Sequence, residues 1–217
     1  MIYQSIRIQI AIITKLINNT KFKIDKGDHL LDTHTHILWN IDDGSKNQCM
    51  SLQMLEIAAR SGTKAIFATP HVIERANKPS WEEIKEKTQQ LRQLCAEAQI
   101  DIMLYPGAEV QMNWELLPEL GATGAYCLNG GRYLLIELPA AEIPAYADEF
   151  WYELELKGIT PILAHPERYQ QLRENPDLLL LWRRRGMLMQ CNSGSFTGMF
   201  GSSVCENAKV LLANGLV

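Results

Sequence analysis

An α/β protein built on a parallel sheet is the fold class this sequence predicts, and two observations carry that prediction. From residue 29 onward, short β-rich runs alternate with amphipathic helical stretches, six units in succession. Residues able to bind metal ions stand at the ends of five consecutive strands. A βα barrel collects its active site from the ends of several strands at its C-terminal face, whereas an open sheet concentrates ligands at one switch point. The spread of these residues therefore favours a closed barrel over an open layer.

The elements are expected in this order. A strand over His29–Thr33 precedes a helix over Lys46–Arg60, which stops at Ser61-Gly62. The second strand is Lys64–Thr69, and its helix starts at Ser80, where Ser80 and Glu83 form a capping box, and runs to Gln99. A strand at Asp101–Tyr105, a short helix at Trp114–Leu120 and a strand at Arg132–Leu138 follow. A helix over Pro144–Lys157 leads to the strand Ile159–Ala164, and a helix over Pro176–Arg185 leads to Met187–Asn192. The last helix, Ser203–Asn214, ends at Gly215, and Leu216-Val217 reads as the start of a seventh strand. Residues 1–28 are set apart as an N-terminal extension, with residues 29–217 as the barrel domain. The apolar run Ile6 to Ile13, with lysines after it, lacks the charge order of a signal peptide. A packing helix, a surface anchor and an upstream start all remain open for it.

Composition narrows the function classes. The chain has 217 residues, enough for one α/β domain, and a net charge of -4, so no basic excess is available to neutralise nucleic-acid phosphates. The one dense basic run, Arg183 to Arg185, falls late in a helix, where cations suit the negative end of the macrodipole. The five cysteines are scattered with no Cys-x-x-Cys pair, which argues against a disulfide framework and fits a reducing cytoplasm. No apolar stretch reaches the length of about eighteen residues that a transmembrane helix needs.

The polar residues at the strand ends carry the chemistry. The first strand runs into Asp32-Thr33-His34-Thr35-His36 and then Asp42-Asp43-Gly44. The second ends in His71, the third in Glu109, the fourth in Glu137, and the fifth in His165-Pro166-Glu167-Arg168. Any one histidine at a strand end is more often a loop or capping residue than a ligand. His34 and His36 are stronger, because alternate strand residues point to one side. Glu137 sits in the apolar run Tyr133–Leu138, where an unpaired carboxylate would cost several kcal/mol, on the order of the penalty for a buried ion. A metal ion or an Arg168 partner would each relieve it. Four of the five histidines occupy such ends, and imidazole mixed with carboxylate suits Mn²⁺, Fe²⁺ or Zn²⁺. Arg168 could fork a phosphate at the same mouth or form a structural salt bridge. A thiolate phosphatase is excluded, because it needs Cys-x5-Arg and Cys127 to Arg132 has only four residues between.

The run DTHTHILWNIDDG (32–44), followed by ATPH (68–71), PGAEV (106–110), LIELP (135–139), LAHPERY (163–169) and QCNSGSFTGMFG (190–201), resembles bacterial tyrosine phosphatases of the polymerase-and-histidinol-phosphatase (PHP) class that serve capsule and exopolysaccharide synthesis. The resemblance implies a distorted seven-stranded barrel holding up to three divalent ions, commonly Mn²⁺. It implies His34 and His36 on the first ion, Glu109 bridging the first and second, Glu137 and His165 completing the second, and Asp43 and His71 on the third. Arg168 would engage the phosphate, and metal-bound hydroxide would attack the phosphomonoester without a covalent enzyme intermediate. The implied substrate is a phosphotyrosine protein, a tyrosine kinase of polysaccharide export. The family's seventh strand ends in an Asp-x-His motif, and this sequence reaches Val217 before it, so most of that strand and two ligands are expected to be lacking. An unclosed barrel would leave edges prone to association, which allows a homo-oligomer. Two other readings stay open: a small-molecule phosphatase of the histidinol-phosphate type, and a catalytically dead metal- or phosphoprotein-binding module.

Overall fold

The computed structural model describes residues 30–121 and 124–217. The readings made for the N-terminal extension lie outside these residues. Eight strands appear: β1 (Leu30–Thr35), β2 (Thr63–Ala68), β3 (His71–Val72), β4 (Met103–Pro106), β5 (Glu109–Gln111), β6 (Tyr133–Glu137), β7 (Thr160–Ala164) and β8 (Leu188–Gln190). They form a three-stranded sheet, β1-β2-β4, and a five-stranded sheet, β3-β5-β6-β7-β8, with every described pairing parallel.

The two unexpected strands have a simple origin. β3 continues β2 across Thr69-Pro70, and β5 continues β4 across Gly107-Ala108. The Gly107 N–H donates to Ala68 O and the Glu109 N–H to Pro70 O, so both ribbons break at the same level and stay joined through the break. Counted as ribbons, the six expected strands lie side by side in chain order. β1 and β8 stand at the two ends of that order, yet Gln190 of β8 accepts a hydrogen bond from His34 of β1 at 2.7 Å. The layer curls far enough for its ends to touch through side chains.

Helices α1 (Gln48–Arg60), α2 (Trp81–Glu97), α3 (Ala147–Leu156), α4 (Gln170–Glu174), α5 (Pro176–Arg184), α6 (Ser193–Phe196) and α7 (Ser202–Ala213) complete the described structure, with short 3₁₀ turns between. Ser80 caps α2 by accepting from Glu83 N at 3.1 Å, and Asn47 caps α1 by accepting from Met50 N at 2.9 Å. The helix expected over Trp114–Leu120 is a 3₁₀ turn, Trp114–Glu119, because Pro118 inside it cannot supply the α-helical hydrogen bond. Leu216-Val217 is not a strand. After Gly215, at φ 66°, the Leu216 N–H returns to Leu211 O and closes the end of α7.

Strand residues alternate between two apolar layers. Ile66, Ala68, Leu134, Ile136 and Leu163 pack in the larger core, toward the helices. Ala65, Phe67, Tyr105, Leu135, Ile162 and Ala164 form a second cluster on the opposite, inner face. Strands buried on both faces are what a parallel sheet covered by helices requires. The inner rows also aim the chemistry. Tyr133 and Leu135 lead to Glu137, Met103 and Tyr105 lead to Glu109, and Ala65 and Phe67 lead to His71, each in steps of two. An apolar plug therefore ends, at the C-terminal side of the strands, in a ring of ionisable groups.

Candidate metal centre

Two backbone irregularities complete that ring. In β1, Asp32 pairs with Ile66 and Thr35 with Ala68, so three steps along β1 match two along β2. This extra residue is a β-bulge, and it turns His34 to the inner side, as bulges near functional sites commonly re-aim a side chain. His165 follows inner-facing Ala164, so an unbroken strand would send it outward. Its backbone is left-handed instead, with φ 35° and ψ 54°, directly before Pro166. Such a conformation is strained for a residue with a side chain and persists only where surrounding structure holds it. The turn brings His165 Nε2 to 2.8 Å from Glu109 Oε1.

Glu109 is the hub. Only 1% of its side chain is exposed, and its Oε2 lies 3.0 Å from His34 Nε2, 3.2 Å from His36 Nε2 and 3.2 Å from His71 Nδ1. Glu137 Oε1 is 3.2 Å from His71 Nδ1, Glu137 Oε2 is 3.9 Å from His165 Nε2, and Asp43 Oδ1 is 3.8 Å from His71 Nε2. The structure thus brings all seven expected ligand residues into one cluster. Three overlapping trios within it hold ligand atoms no more than 4.8 Å apart: His34, His36, Glu109; His36, Asp43, His71; and His71, Glu109, Glu137. His71 stands between two of these trios rather than beside Asp43 alone.

The orientation of the imidazoles tests whether a cation fits. Gln190 Nε2 donates to Cys191 O and Asn192 Oδ1, which fixes its Oε1 toward His34 Nδ1. His34 Nδ1 must therefore carry the proton, and in the neutral ring Nε2 presents a lone pair. Asp42 Oδ2 accepts from His36 Nδ1 at 2.7 Å and leaves His36 Nε2 in the same state. The two Nε2 atoms are 3.2 Å apart and both face Glu109 Oε2. With both rings neutral, three acceptors converge on one point, and Glu109 Oε2 and His71 Nδ1 are buried without a well-directed hydrogen bond. Ligand atoms about 2.1 Å from a shared ion stand about 3 Å from one another, so the spacing fits a divalent cation.

The charge balance agrees. Burial acts to lower the pKa of His36, but Asp42 and Glu109 more than offset it and hold it at about 10. His71 is likewise raised, with Glu137 and Glu109 overcoming its burial. Burial acts to raise the Glu109 pKa, and the surrounding imidazoles hold it far below the usual carboxylate range instead. The site is built to hold positive charge, which protons supply when no cation does and which a divalent ion displaces.

Several residues that organise the site have no role assigned to them from the sequence. Asp42, 2% exposed, orients His36, accepts from His71 N at 2.9 Å and accepts from Gly44 N at 3.0 Å. Gly44 belongs to the same turn, where a Cβ would lie 2.1 Å from His36 O, so only glycine fits this approach. Gln190 was quoted only within a longer segment. Glu167, fully buried, accepts from Asn192 N at 2.9 Å and Ser195 Oγ at 2.6 Å, binding the end of β7 to the loop after β8. The Asp-Asp-Gly spacing was the available signal for Asp42; none marks Gln190 or Glu167.

Arg168 is exposed and lines the same cleft, of about 840 Å³, as the ionisable cluster. It makes no ion pair among the described residues, and its guanidinium lies 4.9 Å from the Phe200 ring centroid. Glu137 thus meets His71 and His165 rather than an arginine.

Comparison with known proteins fixes the lineage. The family model for capsular polysaccharide synthesis, CpsB/CapC, matches residues 30–217. This chain belongs to the CpsB/CapC family. It is 36% identical over 175 residues to the tyrosine-protein phosphatase YwqE of Bacillus subtilis, covering 81% of this chain and 69% of that protein. It is 30% identical over 164 residues to the tyrosine-protein phosphatase CpsB of Streptococcus pneumoniae, covering 76% and 68%. A chain from the crystal structures of YwqE and CpsB, described as metal-dependent tyrosine phosphatases, superposes with a TM-score of 0.79 at 34% identity. The match covers 87% of this CpsB/CapC chain and 76% of the other. No helix of the described residues is long and apolar enough to cross a membrane.

Proposed function

We propose that this chain is a metal-dependent phosphomonoesterase that hydrolyses phosphotyrosine in proteins, its target being a tyrosine kinase of polysaccharide export in the bacterial cytoplasm. The observation that carries the reading is the convergence of His34 Nε2, His36 Nε2 and Glu109 Oε2, three electron-pair donors held face to face by Gln190 and Asp42. Its CpsB/CapC relatives bear the name tyrosine-protein phosphatase, which supports the substrate class. We take the two sheets as parts of one distorted PHP-type barrel.

His34, His36 and Glu109 would hold one ion, Glu109, Glu137 and His165 a second, and Asp43 and His71 a third, with Mn²⁺ the proposed occupant. Bound divalent ions would lower the pKa of a water and offset the charge on a phosphoryl group. The remaining work falls to the chain itself. Arg168 presents its fork to the phosphate oxygens at the cleft mouth. Tyr169, with its hydroxyl fixed between Leu138 N at 2.9 Å and Leu138 O at 3.2 Å, braces the end of β6 beside Glu137. Burial, with Glu137 nearby, raises the Tyr169 pKa, so this hydroxyl stays protonated and structural. Asp43, 81% exposed, is the ligand nearest solvent and marks the side from which substrate enters.

Phosphate release from a phosphotyrosine peptide and from the same peptide carrying phosphoserine tests the reading, with protein stripped by EDTA and then resupplied with Mn²⁺. Release should appear only with metal and favour phosphotyrosine. Full release after stripping, or equal rates on both peptides, would refute it.

A further inference from the structure

We propose that Phe200, with Met199 beside it, is the platform on which the aromatic ring of the substrate rests, so that this loop selects aryl over alkyl phosphate esters. The inference rests on the phosphatase reading above, and it concerns a loop that no metal ligand occupies.

Both residues line the cleft that contains the ionisable cluster, and both expose apolar surface there: 74% of Met199 and 39% of Phe200. Apolar side chains left in water beside a polar site mark a surface that something else covers. Their placement is built in. The Met199 N–H donates to Gly194 O at 3.1 Å, folding the loop back onto α6. A Cβ on Gly194 would meet Met199 Sδ at 3.0 Å and Phe200 Cε2 at 3.3 Å, so the two side chains settle against a position that carries none. Glu167 ties this unit down through Asn192 N and Ser195 Oγ, and Glu167 is the immediate neighbour of Arg168. One buried carboxylate therefore sets the relative position of the apolar platform and the arginine.

The pairing of Arg168 with Phe200 completes the argument. A guanidinium over an aromatic ring keeps its N–H groups in its own plane, free to fork a phosphate. A phosphotyrosine that gave its phosphate to Arg168 and the centre would bring its ring to the height of Phe200 and Met199. Aromatic and thioether contacts of this kind stabilise a bound ring. A phosphoserine reaching the same depth brings no ring to this surface.

The test is calorimetric binding to Mn²⁺-loaded protein of a non-hydrolysable phosphonomethyl-phenylalanine peptide and, separately, of inorganic phosphate. Phe200→Ala should weaken the peptide about tenfold and inorganic phosphate less than about twofold, while Phe200→Tyr restores most of the peptide affinity. Unchanged peptide affinity in Phe200→Ala overturns the proposal, as does failure of the wild type to bind the peptide. Equal weakening of both ligands also overturns it, because Phe200 would then act only by holding Arg168. Phe200-dependent peptide binding in a protein that releases no phosphate would leave the platform standing and sink the phosphatase reading instead.

Discussion

Glu109→Gln should reduce Mn²⁺-dependent phosphate release on the order of 10³-fold, the scale of losing a principal electrostatic group in a catalytic site. The substitution preserves shape, so the inner apolar rows below it keep their packing. It removes the one carboxylate that lies within 3.2 Å of His34, His36 and His71 and within 2.8 Å of His165. A neutral amide would place an N–H₂ donor or a weaker acceptor among those nitrogens and remove the negative charge that holds cations there. The variant's far-ultraviolet circular dichroism should match the parent while turnover on a phosphotyrosine peptide collapses. Turnover within a factor of about ten of the parent would mean that Glu109 is a structural carboxylate only.

Asp42→Ala should raise the Mn²⁺ concentration for half-maximal activity about 100-fold, although Asp42 is not among the proposed ligands. Groups that orient a ligand imidazole are typically worth about 10–100-fold in metal affinity, and Asp42 serves two ligands at once. Its loss strands the His36 Nδ1 proton and the His71 and Gly44 amides, each costing about 1–3 kcal/mol where water cannot replace the carboxylate. Burial acts to raise the Asp42 pKa, but His36 and these two amides hold it below the usual value. A depressed carboxylate contributes its stability above the unfolded pKa of about 3.9 and loses it as pH falls through the lower folded value. The effect of Asp42→Ala is therefore fully present at neutral pH. Asp42→Asn, which keeps an acceptor, should fall between parent and alanine. A half-activating concentration unmoved in Asp42→Ala would show that His36 needs no such support.

Several residues of the site have partners that lie far along the chain, and these were the ones the sequence could not reveal. Metal-binding residue types at successive strand ends were legible because parallel strands place all those ends on one side, and Glu137 inside an apolar run signalled a buried charge. The break of the second and third strands was not legible. β3 is only His71–Val72 and β5 only Glu109–Gln111, too short for any alternation to register. The bulge in β1 and the left-handed turn at His165 are set by tertiary packing, so a period-two reading would have aimed His34 and His165 at the helices. Gln190 meets His34 across 156 positions, and nothing local to either residue announces the bond. The ambiguity over Arg168 resolved the same way: its neighbour is Phe200, in a loop whose fold depends on Glu167.

The most direct test of the account is a Mn²⁺ titration of EDTA-stripped protein in which bound metal and phosphotyrosine hydrolysis are read on the same samples, with Glu109→Gln alongside. The account predicts no turnover in the stripped protein, turnover that rises with metal occupancy, and neither occupancy nor turnover in Glu109→Gln at the same concentrations. Hydrolysis that persists in fully stripped protein, or metal that binds Glu109→Gln as tightly as the parent, would contradict it.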